Sequence, residues 1–366
     1  MAAASGPSRI RCSVLKVVTL IMDTSVHSPA RLYVGVDIAA RSFVAAWGPT
    51  PDTLARPLTF PQTPEGFVAC QQQLQATGSA PTTTLVVMEA TGSYWVALAV
   101  VLHEAGYRVA VVNPAQLYNY ARSLPRRGKT DALDAQVLAR FAAERQPTLW
   151  TPPPAVYHEL RQRLVARDGL LAMRQQARNQ RHALEQWPVV VATVLAQLEA
   201  VIADLDERIA TLEAEIGEVL QHGAWAQSAS LLATIPGVGR ITSAWLLVAT
   251  LNFSLCARVE QAASFAGLTP LARESGTSVR GRAHLGRSGN RRLRTALYLA
   301  TFAGARYNPV LKAFYERLRE AGKPMKVARC AVARKLLHVA WAVVTKGEPF
   351  DAARAQPREQ QLPVAA

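Results

Sequence analysis

The sequence predicts two structural regimes in one chain: a mixed α/β domain, then a helical coiled-coil linker leading into a mainly α-helical C-terminal domain. Three observations point there. Short apolar runs alternate with helical stretches between Leu32 and Arg145, which is the pattern of a sheet covered by helices. Pro152-Pro153-Pro154 then interrupts the chain. Beyond that break the apolar residues recur in steps of three and four, the period of a helix face. The boundaries read as a disordered extension (1–30), the α/β domain (31–150), an arginine-rich helix with a coiled coil (155–222), the C-terminal domain (228–350) and a disordered tail (351–366).

Composition narrows the function classes. Of 366 residues, 50% are hydrophobic, enough to build a core and to exclude global disorder. The net charge of +15 calls for a polyanionic partner, most simply nucleic acid. No apolar run reaches the length of a membrane span, so no membrane partner is expected. Cys12, Cys70, Cys256 and Cys330 form no CxxC pair, which excludes a zinc ribbon and fits reduced thiols in a cytoplasm. Arg9, Arg11 and the stretch from Cys12 to Met22 imitate a signal peptide. Lys16 breaks that stretch, so it reads as an extension, with Met22 a candidate start.

In the α/β part, strands are expected at Leu32–Asp37, Phe43–Trp47, Thr84–Glu89 and Arg108–Val112, and helices at Pro64–Leu74 and Tyr94–Ala105. Pro114 stops the fourth strand. A basic loop carrying Arg126, Arg127 and Lys129 leads into a helix for which Thr130 is a suitable cap. Asp37 and Glu89 end apolar runs, and Asp131 and Asp134 lie three apart, on one face of that helix. Acids at the ends of core strands need a counter-charge, and a divalent cation is the usual one. Four such acids fit a magnesium site for phosphoryl transfer. Taken singly, each is better explained as a turn residue or a solvated helix face; the four together, in this order, favour the metal site.

After the proline break, Arg161, Arg163, Arg167, Arg174, Arg178 and Arg181 share one long polar helix. It reads either as a solvated surface or, through Arg174 and Arg178 in particular, as a phosphate contact. Leu195, Leu198, Ile202, Leu205, Ile209, Leu212 and Ile216 then form a heptad seam. The seam closes either on the arginine helix within the chain or on a second copy. Ile235-Pro236-Gly237-Val238-Gly239 reads as the turn of a helix–hairpin–helix element, with Gly237 and Gly239 offering backbone N–H groups to a phosphate, or as a plain inter-helix turn. The stretch from Glu274 to Arg294 is glycine-rich and holds six arginines, among them Arg280, Arg282, Arg287, Arg291 and Arg292, with no acid after Glu274. Guanidinium forks match phosphate oxygens, so it reads as a phosphate-binding loop. A serine in it, Ser275 or nearly as well Ser278, is a candidate nucleophile.

Together these pieces resemble the insertion-sequence transposases of the "IS one-ten" family, the DEDD transposases also described as bridge-RNA-guided recombinases. The resemblance rests on Gly35-Val36-Asp37, Glu89-Ala90-Thr91-Gly92, Val112-Asn113-Pro114, Lys129-Thr130-Asp131-Ala132-Leu133-Asp134, Ile235-Pro236-Gly237-Val238-Gly239, Phe265-Ala266-Gly267-Leu268-Thr269-Pro270 and Glu274-Ser275-Gly276-Thr277-Ser278-Val279-Arg280-Gly281, in the family's order. It implies a ribonuclease-H/resolvase-like fold for the N-terminal domain, with Asp37, Glu89, Asp131 and Asp134 as the metal-binding DEDD set. It also implies a coiled coil and a C-terminal transposase domain in which Ser275 attacks DNA to form a phosphoserine link. Its expected partners are Mg2+, donor and target double-stranded DNA, a guide non-coding RNA that pairs with both, and a second copy of the chain whose acids complete the site. Two other readings of the residues remain: a magnesium-dependent junction endonuclease in which water attacks, and a non-catalytic nucleic-acid-binding protein.

Overall fold

The computed structural model describes residues 29–124, 130–275, 279–286 and 288–355. The chain divides into two compact units that meet in sequence at Pro152 and Pro153, inside the predicted proline boundary. The first is mixed α/β and the second mainly helical.

In the first unit, β1 (Leu32–Ile38), β2 (Ser42–Gly48), β3 (Leu58–Pro61), β4 (Thr84–Glu89) and β5 (Arg108–Val112) form one sheet in the order β3-β2-β1-β4-β5. β1, β4 and β5 run parallel, while β2 is antiparallel to both of its neighbours. β3 was not foreseen. Its four residues carry one buried side chain, Phe60, and Pro61 ends it, so its pattern is too short to read; an edge position tolerates that proline.

Alternation along each strand sorts the two faces. Val34 and Val36 of β1 and Val86 and Met88 of β4 pack against Phe67, Cys70 and Leu74 of α1 (Pro64–Gln75) and Leu98, Ala99 and Leu102 of α2 (Trp95–Glu104). Leu85 and Val87 face the other way, onto Leu117 and Tyr120 of α3 (Pro114–Ser123) and Val137, Leu138 and Phe141 of α4 (Asp131–Arg145). The result is a sheet between two helical layers. Asn113 accepts a 2.8 Å hydrogen bond from the Ala115 N–H and Pro114 opens α3, so the Val112-Asn113-Pro114 motif is a strand end joined to a capped helix start.

The second unit begins with α5 (Ala155–Leu184) and α6 (Ala192–His222), which pack against each other within the chain. Ile202, Leu205, Ile209 and Ile216 of the heptad seam are buried. Arg163 pairs with Glu215 at 2.7 Å, Arg167 with Glu213, and Arg174 and Arg178 with Asp206. Partners fall in number on α6 as they rise on α5, so the hairpin is antiparallel. These pairs are open to solvent, so they set register more than stability.

The remaining helices, α7 (Ala226–Ala233), α8 (Arg240–Thr250), α9 (Val259–Phe265), α10 (Arg291–Tyr307), α11 (Pro309–Glu320), α12 (Met325–Lys346) and α13 (Ala352–Ala355), complete this unit. All but the short last one contribute to its core, which draws on Leu232, Leu246, Ala262, Leu297, Leu311 and Leu336. Between α9 and α10 the segment read as a basic loop is instead a β-hairpin, β6 (Pro270–Ser275) and β7 (Val279–Leu285). Its sequence hides the strands because arginines and glycines leave no alternating apolar face. Among the described residues, no helix is long and apolar enough to cross a membrane.

Candidate active site

The four acids converge through strand alternation and one tight helix–strand contact. Asp37 lies two residues past Gly35 on β1, on the face away from Val34 and Val36 and toward α4. Glu89 follows Leu85 and Val87 on that same face of β4. β1 and β4 are adjacent and parallel, with Val36 opposite Met88, so both acids stand at the same carboxyl edge of the sheet. Open α/β sheets bind ligands at that edge.

α4 supplies the other two. A Cβ added to Gly35 would lie 2.1 Å from the Ala135 carbonyl oxygen and 2.6 Å from the Leu138 Cβ, so α4 rests directly on bare backbone. Asp131, Asp134, Ala135 and Leu138 share that helix face, which puts the two acids within about one turn of the contact. Thr130 caps α4 as foreseen, its hydroxyl accepting from the Leu133 N–H at 3.2 Å. Acids in the first turn of a helix face the positive end of its dipole, which offsets part of the cost of gathering them. Gly35→Ala is expected to push α4 outward and cost roughly 1–3 kcal/mol, read as a lower melting temperature and a loss of divalent-ion binding.

Electrostatics registers the convergence. Partial burial pushes the Asp37 carboxyl up to about 6, and the charges of Asp134, Asp131 and Glu89 push it the same way. Glu89 accepts a hydrogen bond from the Thr91 hydroxyl at 2.5 Å. Gly92, at φ +63°, turns the chain just after it. Sequence reasoning overlooked Gly35 and Thr91 as positioning residues, although a glycine inside an apolar strand signals close backbone approach.

Among the described residues, no three His, Cys, Asp or Glu groups are drawn close enough to ligate one ion. Asp131, Asp134 and Glu89 are near enough to Asp37 for their charges to raise its carboxyl. An all-oxygen, fourfold anionic donor set suits a hard divalent cation such as Mg2+ in chemistry and charge.

The remaining candidates fare unevenly. Ser275 closes β6 opposite Val279, the last pair before the hairpin turn. Ser278, Arg126, Arg127, Lys129 and Arg287 lie outside the described residues, and of Arg280 and Arg282 only the β7 backbone is described. Arg174 and Arg178 are engaged by Asp206, so a phosphate must compete with that carboxylate. Gly237, at φ +97°, is packed against Gly304, where a Cβ would come within 2.5 Å, which gives it a structural reason. Gly239 borders open space and caps α8. Arg291 is exposed at the start of α10, while Arg292 pairs with Asp168 at 3.3 Å and lies 5.3 Å from the Trp245 ring.

Comparison with known proteins places this arrangement. Residues 34–186 match the DEDD_Tnp_IS110 family model, described as "Transposase", and residues 229–316 match the model described as "Transposase IS116/IS110/IS902 family". The chain is similar to the "Pilin gene-inverting protein" of Moraxella bovis, with 32% identity over 88% of this chain and 98% of that protein. It is also similar to the "Insertion element IS900 uncharacterized 42 kDa protein" of Mycobacterium paratuberculosis, 33% identical over 48% of this chain and 44% of that protein. The Streptomyces coelicolor "Insertion element IS110 uncharacterized 43.6 kDa protein" is 32% identical over 46% of this chain and 42% of that protein. With its acids at one sheet edge and both family regions matched in order, the chain belongs to the IS110 family of insertion-sequence transposases.

Proposed function

We propose that the chain breaks and rejoins DNA strands through a phosphoserine intermediate formed by Ser275, with Asp37, Glu89, Asp131 and Asp134 holding Mg2+. The metal half is supported by Asp37 and Glu89 lying toward the same end of adjacent parallel strands, with the helix that carries Asp131 and Asp134 packed on Gly35. The cation, when bound, supplies charge stabilisation at the scissile phosphate. The serine half rests on the family resemblance and on chemistry. As the Ser275 Oγ–P bond forms, the P–O3′ bond breaks, and the proton lost by the hydroxyl balances the one gained by the 3′ oxygen. The phosphoserine keeps the bond energy, and a 3′ hydroxyl of the other duplex reverses the step.

A relative whose printed name is a gene-inverting protein favours this route over hydrolysis by water, because inversion requires that cut strands be rejoined. The resolvase-like ribonuclease-H fold, the guide RNA and the dimer belong to the same proposal. Three features support it. The first turn of α10 contains arginines and no acid, an arrangement a phosphate would relieve. The net charge of +15 suits two polyanionic partners. Trp187, Val189 and Val191 are exposed at the tip of the α5–α6 hairpin, an apolar surface available to a second copy.

The test is cleavage of labelled DNA carrying the sequence that flanks the gene, with the flanking non-coding RNA and Mg2+ present. EDTA, or Glu89→Gln, is expected to reduce cleavage by about 100-fold or more. Undiminished cleavage by both would remove the metal from the account.

A further inference from the structure

A cavity of about 600 Å³ opens in the second unit where β6, β7, α11 and α12 meet, apart from the acids and from the arginine helix. That volume is in the range of ligand-binding clefts. Leu268, Leu285, Phe314, Val327 and Ala331 supply an apolar wall. Lys326, Arg334 and Lys335 add cationic groups to the same lining. His338, also in the lining, has its Nε2 buried without a hydrogen-bond partner. Burial pushes its imidazole down, Arg334 and Lys335 push the same way, and Glu260 opposes them. A neutral imidazole offers one donor and one acceptor nitrogen.

An apolar wall, an unused polar nitrogen among the lining residues and cations beside them match one ligand chemistry: a nucleobase attached to a phosphodiester. We infer that this cavity receives an unpaired nucleotide extruded from the bound DNA strand. Its base would lie against Phe314, Leu285 and Val327, its polar edge would meet His338, and its phosphates would pair with Lys326, Arg334 and Lys335. DNA rather than RNA is favoured by the chain path. Pro270 and Leu285, which line the cavity, are the paired residues at the open end of the hairpin whose other end is Ser275. Five residues of strand span about 17 Å, so the cavity and the proposed nucleophile would engage neighbouring stretches of one strand. Holding a base out of the stack there would keep the strand open near the scissile phosphate.

The inference rests on the proposed action on DNA, and the test separates the two. Duplexes with the gene's flanking sequence would carry 2-aminopurine at successive positions, a base whose fluorescence rises when it leaves the stack. Binding, followed independently by polarisation, should be accompanied by a several-fold fluorescence rise at one or two adjacent positions. Ala331→Trp and Val327→Trp, each filling the cavity from a different side, should abolish that rise while the protein keeps its melting temperature and still binds. Binding with no rise at any position, or a rise that survives both folded variants, overturns the inference and leaves the DNA reading standing. Absence of binding overturns both. The same scan on the flanking RNA should stay flat; a rise there alone would give the cavity to RNA and overturn the inference.

Discussion

Asp37→Asn is expected to reduce strand cleavage by about 1000-fold and, in the same protein, to raise the melting temperature of the metal-free first unit. The loss follows from removing one anionic ligand from a site whose charge stabilisation is worth several kcal/mol, at roughly tenfold per 1.4 kcal/mol. The gain follows from linkage. Asp37 is pushed from the ordinary carboxylate value of 3.8 up to about 6, so the folded chain holds its proton more tightly than the unfolded chain does. The stability this confers is fully present below pH 3.8 and is lost as pH rises through about 6. At pH 7 the ionised carboxylate therefore opposes folding, by about 1–2 kcal/mol once solvent screening of a half-buried group is allowed for. Asparagine removes that opposition and should add about 2–6 °C. Mg2+ should reverse the order, stabilising the wild type by mass action and leaving the variant nearly unmoved. A melting series against pH and Mg2+ checks all of this. A variant less stable than wild type in EDTA would show that Asp37 is a structural anion.

Ser275→Ala is expected to abolish strand exchange completely. With Ser275 as the nucleophile, its loss removes the Oγ–P bond, and a cation without that bond supports at most hydrolysis by water. The Mg2+-dependent rise in melting temperature should survive, because the acids and Ser275 lie in different compact units. The comparison variant is Ser278→Ala, which removes the other candidate serine hydroxyl of the Glu274–Arg294 stretch. Exchange retained by Ser278→Ala and lost by Ser275→Ala assigns the nucleophile, and the opposite result reassigns it. A recombination assay that converts parental into strand-exchanged DNA reads both.

Much of this architecture was legible because it depends on local chemistry. The runs ending in Asp37 and Glu89 are strands because buried parallel strands are continuously apolar, and the register then aligns their ends without further information. Thr130 announced a helix start through its side chain, whereas α3, capped by Asn113, was not foreseen because the proline spoke only for the end of a strand. The heptads left two partners open; within the chain the seam packs on the arginine helix, with ion pairs from Arg163 to Arg178 along it. What escaped was held by backbone geometry. β6 and β7 pair through the main chain with no apolar alternation to betray them, and β3 is an edge strand with one buried residue. Gly35 was read only as part of a motif, because the close approach of α4 is a long-range contact invisible to spacing. The cavity under the hairpin escaped for the same reason, since Leu285 and His338 are brought together only by the fold.

The most direct measurement is a denaturing gel of labelled donor DNA incubated with Mg2+, the flanking RNA and either wild type, Asp37→Asn or Ser275→Ala. A protein-linked DNA band that resists denaturant is predicted for the wild type alone, and it should vanish in EDTA. Cleaved DNA with no linked protein in the wild-type lane, or a linked band that persists in Ser275→Ala, would contradict a serine-linked strand transfer assisted by the four carboxylates.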